Sequence, residues 1–380
     1  MSIHVKMKKK VFYFTNIFPS YRKELWKLML NSNKMDFHIY FSNQNYRGIG
    51  SDLLGSLFSK NERNRMHNIN HVLINNNIIW QRGVIYTLIT EKFDNVILLG
   101  DMKILSNWIA ILICRLKGKK VSLWTHGIYG NENFLKMNLR TLFLSLADQI
   151  FLYEKKAKKI LLSRGFSEKK LKVVFNSINL EEQTKAYITN SKIIEKARSK
   201  KSFNIIFFGR LTKIKRVDML IDAIVNLNSR KSLYKLKIIG DGPEKNNLFN
   251  KVSILNAEKF ISFNEGTYNE NKIANFFLKS DLLVSPGNVG LNAVHSLCYG
   301  TPVITHNKFE NQMPEHEVIE EQLNGLFFEY NNIESLEQKI QNWFINFHNN
   351  RSRDELRSLI IKNYNPKFQI KIFEESLNNI

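Results

Sequence analysis

Residues 203–215 read Phe-Asn-Ile-Ile-Phe-Phe-Gly-Arg-Leu-Thr-Lys-Ile-Lys. The apolar run predicts a buried strand over 203–208, and Gly209 allows the backbone to turn sharply at its end. Arg210 and Lys215 then supply two positive charges just beyond the strand. A strand, a glycine and cations in this order are typical of a parallel α/β sheet that holds an anion at the carboxyl ends of its strands.

Two further glycine turns follow the same pattern. The first, Gly-Asp-Gly-Pro, comprises Gly240, Asp241, Gly242 and Pro243 and follows a predicted strand at 235–239. The second leads into a helical pattern and comprises Gly287, Asn288, Val289, Gly290 and Leu291. Glycines let backbone N–H groups approach a phosphate, and a helix N-terminus adds partial positive charge. One such turn is usually structural, but three in this order indicate a diphosphate site.

Short apolar runs alternate with helical patterns along nearly the whole chain, which predicts an α/β fold with two doubly wound, Rossmann-like domains. We expect a first domain at 1–185, a polar linker at 186–201 and a second domain at 202–364. The last helical pattern, 365–380, is expected to pack back on the first domain. Ligands of such sheets bind at the carboxyl ends of the strands, so the predicted site is a central cleft that the two domains face.

Composition excludes several classes of protein. The chain has 380 residues, 43% of them hydrophobic, and only 2 cysteines, so no disulfide framework is expected. The apolar run after the basic start, Val11 to Phe14, is shorter than a secretory signal requires. The longest apolar stretch, Trp108 to Cys114, is far shorter than a bilayer span. We therefore expect a cytoplasmic protein.

The net charge of +22 is concentrated in the first half, where residues 1–185 carry 30 Lys/Arg against 13 Asp/Glu. Such a field attracts polyanions, namely an anionic membrane surface, a phosphorylated substrate or nucleic acid. A surface that only confers solubility is the alternative. No zinc-finger spacing or interleaving of aromatic and basic residues supports nucleic acid as the partner. We expect peripheral binding at the inner face of the plasma membrane.

The turns resemble motifs of the retaining glycosyltransferases of family 4, which have the GT-B fold. The similar segments are Gly209 to Ile221, Gly240 to Pro243, Gly300 to Ile304, Asn324-Gly325 and, before the linker, Val173 to Ser177. The resemblance covers nearly the whole chain and is strongest over 203–328. It implies transfer of a hexose from a UDP- or GDP-sugar to a hydroxyl of a lipid-linked glycan, in the synthesis of O-antigen, capsule or lipopolysaccharide.

One departure from the family lies in the donor site. Relatives carry two glutamates around the phosphate-binding loop, one touching the transferred sugar and the other the nucleotide ribose. These positions are occupied here by Gly287 and His295. His295 still offers one donor and one acceptor. A nearby carboxylate could replace the missing one, and the candidates are Glu310, Glu315 and Glu317; the alternative is that these are surface acids.

The first half contributes two further candidates. His126 ends the run Trp124-Thr125-His126-Gly127, and the family has a histidine in a matching place near the transferred sugar; a structural turn histidine is the alternative. Pro19, Tyr21 and Arg22 follow the first strand, where many relatives have Gly-Gly, and are predicted to contact the acceptor.

Catalysis is expected to need no metal ion and no other cofactor. The sequence contains no Asp-x-Asp, and Arg210 and Lys215 can stabilise the departing nucleoside diphosphate instead. The family's retaining reaction needs no protein nucleophile. Two alternatives stay open, a nucleotide-sugar epimerase of the same fold and a non-catalytic relative.

Overall fold

The computed structural model describes residues 8–42, 58–75, 78–129, 132–194, 202–230, 233–348 and 350–379. The chain divides into two compact units. The first comprises Met1–Asn179 together with Pro366–Ile380, and the second comprises Leu180–Asn365.

A seven-stranded sheet forms the centre of the first unit, with strand order β3-β2-β1-β6-β7-β8-β9 and parallel pairing throughout. Its strands are β1 (Lys9–Ile17), β2 (Met35–Ser42), β3 (Met66–Asn68), β6 (Asn95–Leu99), β7 (Lys120–Thr125), β8 (Gln149–Leu152) and β9 (Leu171–Val173). A separate antiparallel pair is formed by β4 (His71–Asn75) and β5 (Ile78–Gln81). The strand order reverses between β1 and β6, as expected of a doubly wound sheet.

Helices cover both faces of this sheet, because the strands are apolar on both sides. One face carries α3 (Val84–Thr90), α4 (Leu105–Leu116), α5 (Phe134–Ser145) and α6 (Lys155–Ser163), which share one apolar core. The other face carries α1 (Lys23–Leu30) and the last helix, α14 (Pro366–Asn378). A short helix, α2 (Lys60–Arg63), begins with a capping box at Ser59.

The last helix completes the core of the first unit. The ring of Phe373 lies 5.1 Å from that of Trp124 and 4.7 Å from that of Phe151. Gln369 accepts a hydrogen bond from the Ser177 hydroxyl at 2.6 Å and donates one to the Phe175 carbonyl at 2.8 Å. These buried contacts join α14 to the segment that follows β9.

The second unit contains a parallel sheet of order β12-β11-β10-β13-β14-β15. Its strands are β10 (Phe203–Phe208), β11 (Tyr234–Ile239), β12 (Ile261–Asn264), β13 (Leu282–Ser285), β14 (Val303–His306) and β15 (Gly325–Phe328). Its helices are α7 (Leu180–Ile194), α8 (Val217–Arg230), α9 (Lys245–Ile254), α10 (Glu270–Leu278), α11 (Asn292–Cys298), α12 (Ile333–Asn342) and α13 (Arg353–Ile361), and a π-helical turn follows α12 at Trp343–Phe347. The strand order reverses between β10 and β13.

The expected linker at 186–201 differs from the structure. Helix α7 runs through Ile194 and belongs to the second unit, and the rest of the expected linker lies outside the described residues. Within this part of α7, Ile188 and Thr189 are exposed, whereas Ala186 and Tyr187 are buried. The guanidinium of Arg357 lies 3.4 Å from the centre of the Tyr187 ring, and the Tyr187 hydroxyl donates to Asp354 at 2.8 Å.

Candidate functional site

The point where the strand order reverses in the second unit brings two of the predicted turns together. Strands β10 and β13 are hydrogen-bonded neighbours, so Gly209 and Gly287 follow adjacent strands at the carboxyl edge. The Gly287 amide donates to the Lys215 carbonyl at 3.0 Å. In return, Lys215 Nζ donates to the Asn288 carbonyl at 2.5 Å. Lys215 is thus held on the second turn through both its backbone and its side chain.

Close approach of the backbone explains the glycine at position 287. A Cβ atom there would lie 1.9 Å from the Ile214 carbonyl oxygen and 2.7 Å from the Lys215 Cα. No side chain fits at such distances, so this backbone cannot carry a carboxylate at position 287. The glycine that stands in place of the family's glutamate therefore permits the close contact that positions Lys215.

Lys215 occupies an environment that disfavours its charge. Burial lowers the pKa of its ammonium group from 10.5 to about 8, and the carboxylate of Glu315 acts in the opposite direction. Glu315 is itself buried, in the 3-10 helix Pro314–Val318. Of the three glutamates proposed from the sequence, Glu315 is the one whose charge acts on Lys215 among the described residues. An anionic ligand beside Lys215 would favour the charged ammonium form.

The other predicted turns pack on the same segment. A Cβ atom on Gly240 would lie 1.9 Å from the Gly209 carbonyl oxygen, and one on Gly242 would lie 2.3 Å from that of Leu211. The side chain of Arg210 is exposed, and no described residue forms an ion pair or side-chain hydrogen bond with it. The three turns predicted from the sequence are therefore adjacent, with one cation held in place and one available to solvent.

The loop after β13 leaves only part of its backbone available to a ligand. The Val289 amide donates to the Gln312 side chain at 2.9 Å, so this predicted donor-binding residue already has a partner. Among the described residues, none accepts a hydrogen bond from the amides of Asn288, Gly290 or Leu291. These three N–H groups and the ammonium of Lys215 are the donors that an anion could meet here.

His295 pairs with a carboxylate that the sequence analysis did not identify. Its Nε2 lies 2.6 Å from Glu270 Oε1, and the Tyr299 hydroxyl donates to the same oxygen. Burial alone would raise the pKa of Glu270, but hydrogen bonds from His295 and Tyr299 lower it. Glu270 begins α10, 25 residues before His295, so only the folded chain brings the two together. The imidazole edge facing Glu270 is therefore fixed.

The predicted residues of the first unit also lie close to one another. The guanidinium of Arg22 donates to the Tyr153 hydroxyl at 2.7 Å and lies 4.5 Å from the centre of a Trp124 ring. The ring of His126, which follows β7, lies 4.6 Å from that of Tyr153. Tyr153 thus contacts both Arg22 and His126 at the carboxyl edge of the first sheet.

His126 is held in its neutral form. Burial lowers its pKa to about 4, and the positive charges of Arg22 and Arg140 act in the same direction. Its Nδ1 atom is buried and has no hydrogen-bond partner among the described residues. A neutral imidazole offers one donor and one acceptor nitrogen, so it can exchange a hydrogen bond with a hydroxyl group that reaches its ring.

The segment after β1 positions Arg22. Pro19 is buried, and its carbonyl accepts the Arg22 amide hydrogen at 3.0 Å, which closes a 3-10 turn over Ser20–Arg22. The ring of Tyr21 is half-buried and lies 5.6 Å from the Arg22 guanidinium. Arg22 is therefore enclosed by aromatic rings, and its predicted role in contacting an acceptor stays a prediction.

Metal sites and membrane-spanning helices are both absent from the part of the chain that the structure describes. No group of three or more His, Cys, Asp or Glu side chains is arranged to hold a metal ion there. In the same parts of the chain, no helix combines the length and the apolar character needed to cross a bilayer.

Comparison with known proteins supports the motif resemblance. The family model described as glycosyl transferases group 1 matches residues 189–363. An uncharacterized 41.2 kDa protein in the cps region of Klebsiella pneumoniae is 29% identical over 196 residues, and the match spans 51% of each chain. The chain thus aligns with only about half the length of that curated relative.

Solved structures match over nearly the full length. The lipopolysaccharide outer core galactosyltransferase WaaB is 16% identical, with a TM-score of 0.66 over 97% of this chain and 99% of its own. HepE of Anabaena, solved with UDP, is 13% identical, with a TM-score of 0.69 over 98% of this chain and 100% of its own. At these identities the likeness establishes the fold, and it confirms the predicted GT-B class. The similarity to the family of glycosyl transferases group 1 spans residues 189–363, which is 175 of the 380 residues and therefore less than half of the chain.

Proposed function

We propose that this protein is a retaining glycosyltransferase that moves a hexose from a UDP- or GDP-sugar to a hydroxyl of a lipid-linked glycan. The observation that carries this proposal is the position of Lys215. Its ammonium group is held against the loop after β13, beside unused backbone amides, at the point where the strand order reverses. Doubly wound sheets bind their ligands at that point.

The donor is proposed to bind with its diphosphate at Lys215 and Arg210. The amides of Asn288, Gly290 and Leu291 complete the set of donors. His295, oriented by Glu270, forms a hydrogen bond with a hydroxyl of the nucleoside or the sugar. Structures of HepE with UDP and with UDP-glucose support a uridine nucleotide as the first donor to test.

The leaving group in this reaction is a nucleoside diphosphate, which gains negative charge as the sugar departs. Lys215 is already in place, so it stabilises that charge without reorganisation. We propose that this positive charge takes the place of a divalent cation. The acceptor hydroxyl attacks the anomeric carbon from the face that the phosphate leaves and gives its proton to that phosphate. The reaction therefore requires no protein nucleophile and retains the anomeric configuration.

The acceptor is proposed to be a growing glycan of a bacterial surface polysaccharide. A relative in a cps region and the structural similarity to WaaB support this setting. A complex of S. aureus TarM with UDP and alpha-GlcNAc-glycerol is also similar in fold, with a TM-score of 0.63. In the first unit, neutral His126 is proposed to hydrogen-bond the transferred sugar or the acceptor, and Arg22 to meet a negative group on the acceptor.

Calorimetric titration with UDP and GDP tests the donor site directly. We expect one nucleotide to bind, and its affinity to fall when Lys215 is replaced by alanine. Release of nucleotide from the sugar donor, measured with and without an acceptor glycan, tests the reaction. Release that rises with acceptor supports a transferase, whereas release unaffected by acceptor favours an epimerase. Nucleotide binding without any turnover favours a non-catalytic relative.

A further inference from the structure

Three helices of the first unit present apolar side chains to solvent. In α4 the buried residues include Ala110, Ile111 and Cys114, whereas the opposite side exposes leucines and isoleucine at helical spacing. In α5 the buried residues include Phe143 and Leu144, and a second exposed stripe runs along the other side. We call the following exposed residues the apolar face: Tyr86 and Ile89 of α3, Leu105, Ile109, Leu112 and Leu116 of α4, and Phe134, Leu135, Leu139 and Leu142 of α5.

The three helices lie side by side on one face of the first sheet. Lys117, the residue after α4, donates to the carbonyls of Leu88 and Ile89 in α3 at 2.8 and 2.6 Å. The rings of Trp108 in α4 and Phe143 in α5 lie 4.8 Å apart. Arg115 of α4 donates to the Leu146 carbonyl at the end of α5 at 2.9 Å. The exposed stripes therefore belong to neighbouring helices of a single layer.

This layer already has a complete core on its inner side. The buried residues of α3, α4 and α5 belong to one cluster with strands β1, β6, β7 and β8. The exposed side chains are thus additional to what the fold needs. Two of them are almost entirely exposed, Leu116 at 89% and Leu135 at 79%. Large exposed apolar patches mark binding surfaces rather than folding requirements.

Charge indicates which kind of partner this surface fits. Helices α3, α4 and α5 contain no aspartate or glutamate, and their charged residues are Arg115, Lys136 and Arg140. Arg140 is buried and pairs with Glu132 at 2.8 Å, which leaves Arg115 and Lys136 at the surface. The next helix in the layer, α6, carries four lysines, and Arg164 just after it donates to Thr141 of α5 at 3.4 Å. Residues 82–164 contain 14 Lys/Arg against 6 Asp/Glu.

Aliphatic side chains bordered by cations are suited to an anionic bilayer. The apolar chains can enter the boundary between headgroups and acyl chains, while the cations meet lipid phosphates. Protein interfaces favour aromatic residues and arginine at their centre, whereas leucine and isoleucine dominate here. The helices are 7, 12 and 12 residues long, so they can lie along a bilayer surface but are too short to cross it.

We propose that the apolar face of α3, α4 and α5 docks on an anionic lipid bilayer, with the lysines of α6 at its border. The role of this docking is to bring the protein to a lipid-linked acceptor, and that role rests on the proposed function. The vesicle experiment that tests it needs no turnover, so the docking surface and the transferase activity can fail independently.

The test is sedimentation of the full chain with vesicles of phosphatidylcholine, with and without phosphatidylglycerol. The variant is Leu116→Gln/Leu135→Gln, which removes apolar surface from the most exposed positions of α4 and α5. Its matched control is Ile254→Gln/Ile345→Gln in the second unit, where the two side chains are 79% and 77% exposed. Because all four side chains are exposed, both variants should keep the unfolding temperature and the UDP affinity of the original chain.

We expect the original chain and the control to bind the anionic vesicles, and more weakly the neutral ones. The Leu116→Gln/Leu135→Gln variant should bind at least roughly tenfold more weakly, because apolar insertion contributes much of the affinity. Equal binding of both variants, or no vesicle binding by the original chain, overturns the proposal. A dimer seen by sedimentation velocity that dissociates in the Leu116→Gln/Leu135→Gln variant also overturns it, since a second copy would then cover the face.

Discussion

The Lys215 ammonium donates to the Asn288 carbonyl at 2.5 Å, although 73 residues separate the two in the chain. Each turn thereby positions the other, because the Gly287 amide also donates to the Lys215 carbonyl. We expect Lys215→Ala to weaken UDP binding and to lower turnover by about 100-fold, the usual effect of losing one preorganised cationic donor. Calorimetry and initial rates measure the two effects.

The control for that experiment is Lys213→Ala, since Lys213 is an exposed lysine in the same 3-10 turn. This substitution leaves the 3-10 turn in place and removes one positive charge, as Lys215→Ala does. A loss of similar size in both variants would mean that general electrostatic attraction, rather than the position of Lys215, accounts for binding.

The lowered pKa of Lys215 predicts a pH dependence of nucleotide binding. Below about pH 8 the ammonium is charged in the free protein, and above that value it loses its proton. UDP affinity should therefore fall as the pH rises through about 8, in calorimetric titrations at several pH values. Lys215→Arg should bind with little change over this range, because a guanidinium stays charged. A wild-type affinity that is unchanged between neutral pH and about pH 9, which is roughly one unit above the lowered pKa, would contradict this role.

Restoring a side chain at position 287 should harm the protein rather than improve it. A Cβ atom there meets the Ile214 carbonyl oxygen at 1.9 Å, so Gly287→Ala should cost about 3 kcal/mol in the free energy of unfolding. Gly165→Ala is the control: Gly165 has a positive φ of 84° and open space around it. This control should cost only about 1 kcal/mol. Urea unfolding compares the two, and equal costs would show that steric contact at Gly287 is unimportant.

Glu270 should contribute stability that disappears in acid. Because hydrogen bonds from His295 and Tyr299 hold its folded pKa below the ordinary 4.5, the contribution is present above that value. It is lost as the pH falls through the lowered folded pKa. Glu270→Gln should therefore be less stable than the original chain at neutral pH, and the difference should shrink in acid. Chemical unfolding at both pH values measures this, and a difference independent of pH would contradict it.

His126 and the residues proposed to bind the nucleotide belong to different units, so we expect their substitutions to have different effects. His126→Ala should lower turnover by about 10- to 100-fold, as loss of one oriented hydrogen-bonding group does, and leave UDP affinity unchanged. The control is His38→Ala, since His38 lies in the middle of β2 and pairs with Asp36 and His67. A marked loss of UDP affinity in His126→Ala would contradict this division of roles.

Local sequence patterns were sufficient for much of this fold. The strand at 203–208 was predicted with the bounds that β10 has in the structure. The three glycine turns were predicted correctly as neighbours, because each follows a parallel strand and such strand ends share one edge. Strand β15 is harder to recognise from the sequence, because it has only four residues and begins at Gly325, within the Asn324-Gly325 turn.

Contacts between distant residues could not be predicted in this way. Nothing near His295 in the sequence indicates Glu270, and nothing near Val289 shows that the Gln312 side chain accepts its amide hydrogen. The apolar sequence of helix α4 suggests burial on all sides. Only the structure separates its buried side from the side that faces solvent.

The packing of α14 in the first unit has a consequence for biosynthesis. On the ribosome, residues up to Asn179 emerge first, yet Phe373 and Leu377 complete the hydrophobic core around Trp124 and Phe151. The second unit, continuous from Leu180 to Asn365, can reach its native structure earlier. The nascent first unit therefore exposes an unfilled groove until translation has passed α14, and a premature stop codon just before Pro366 would leave that groove open to chaperones and proteases.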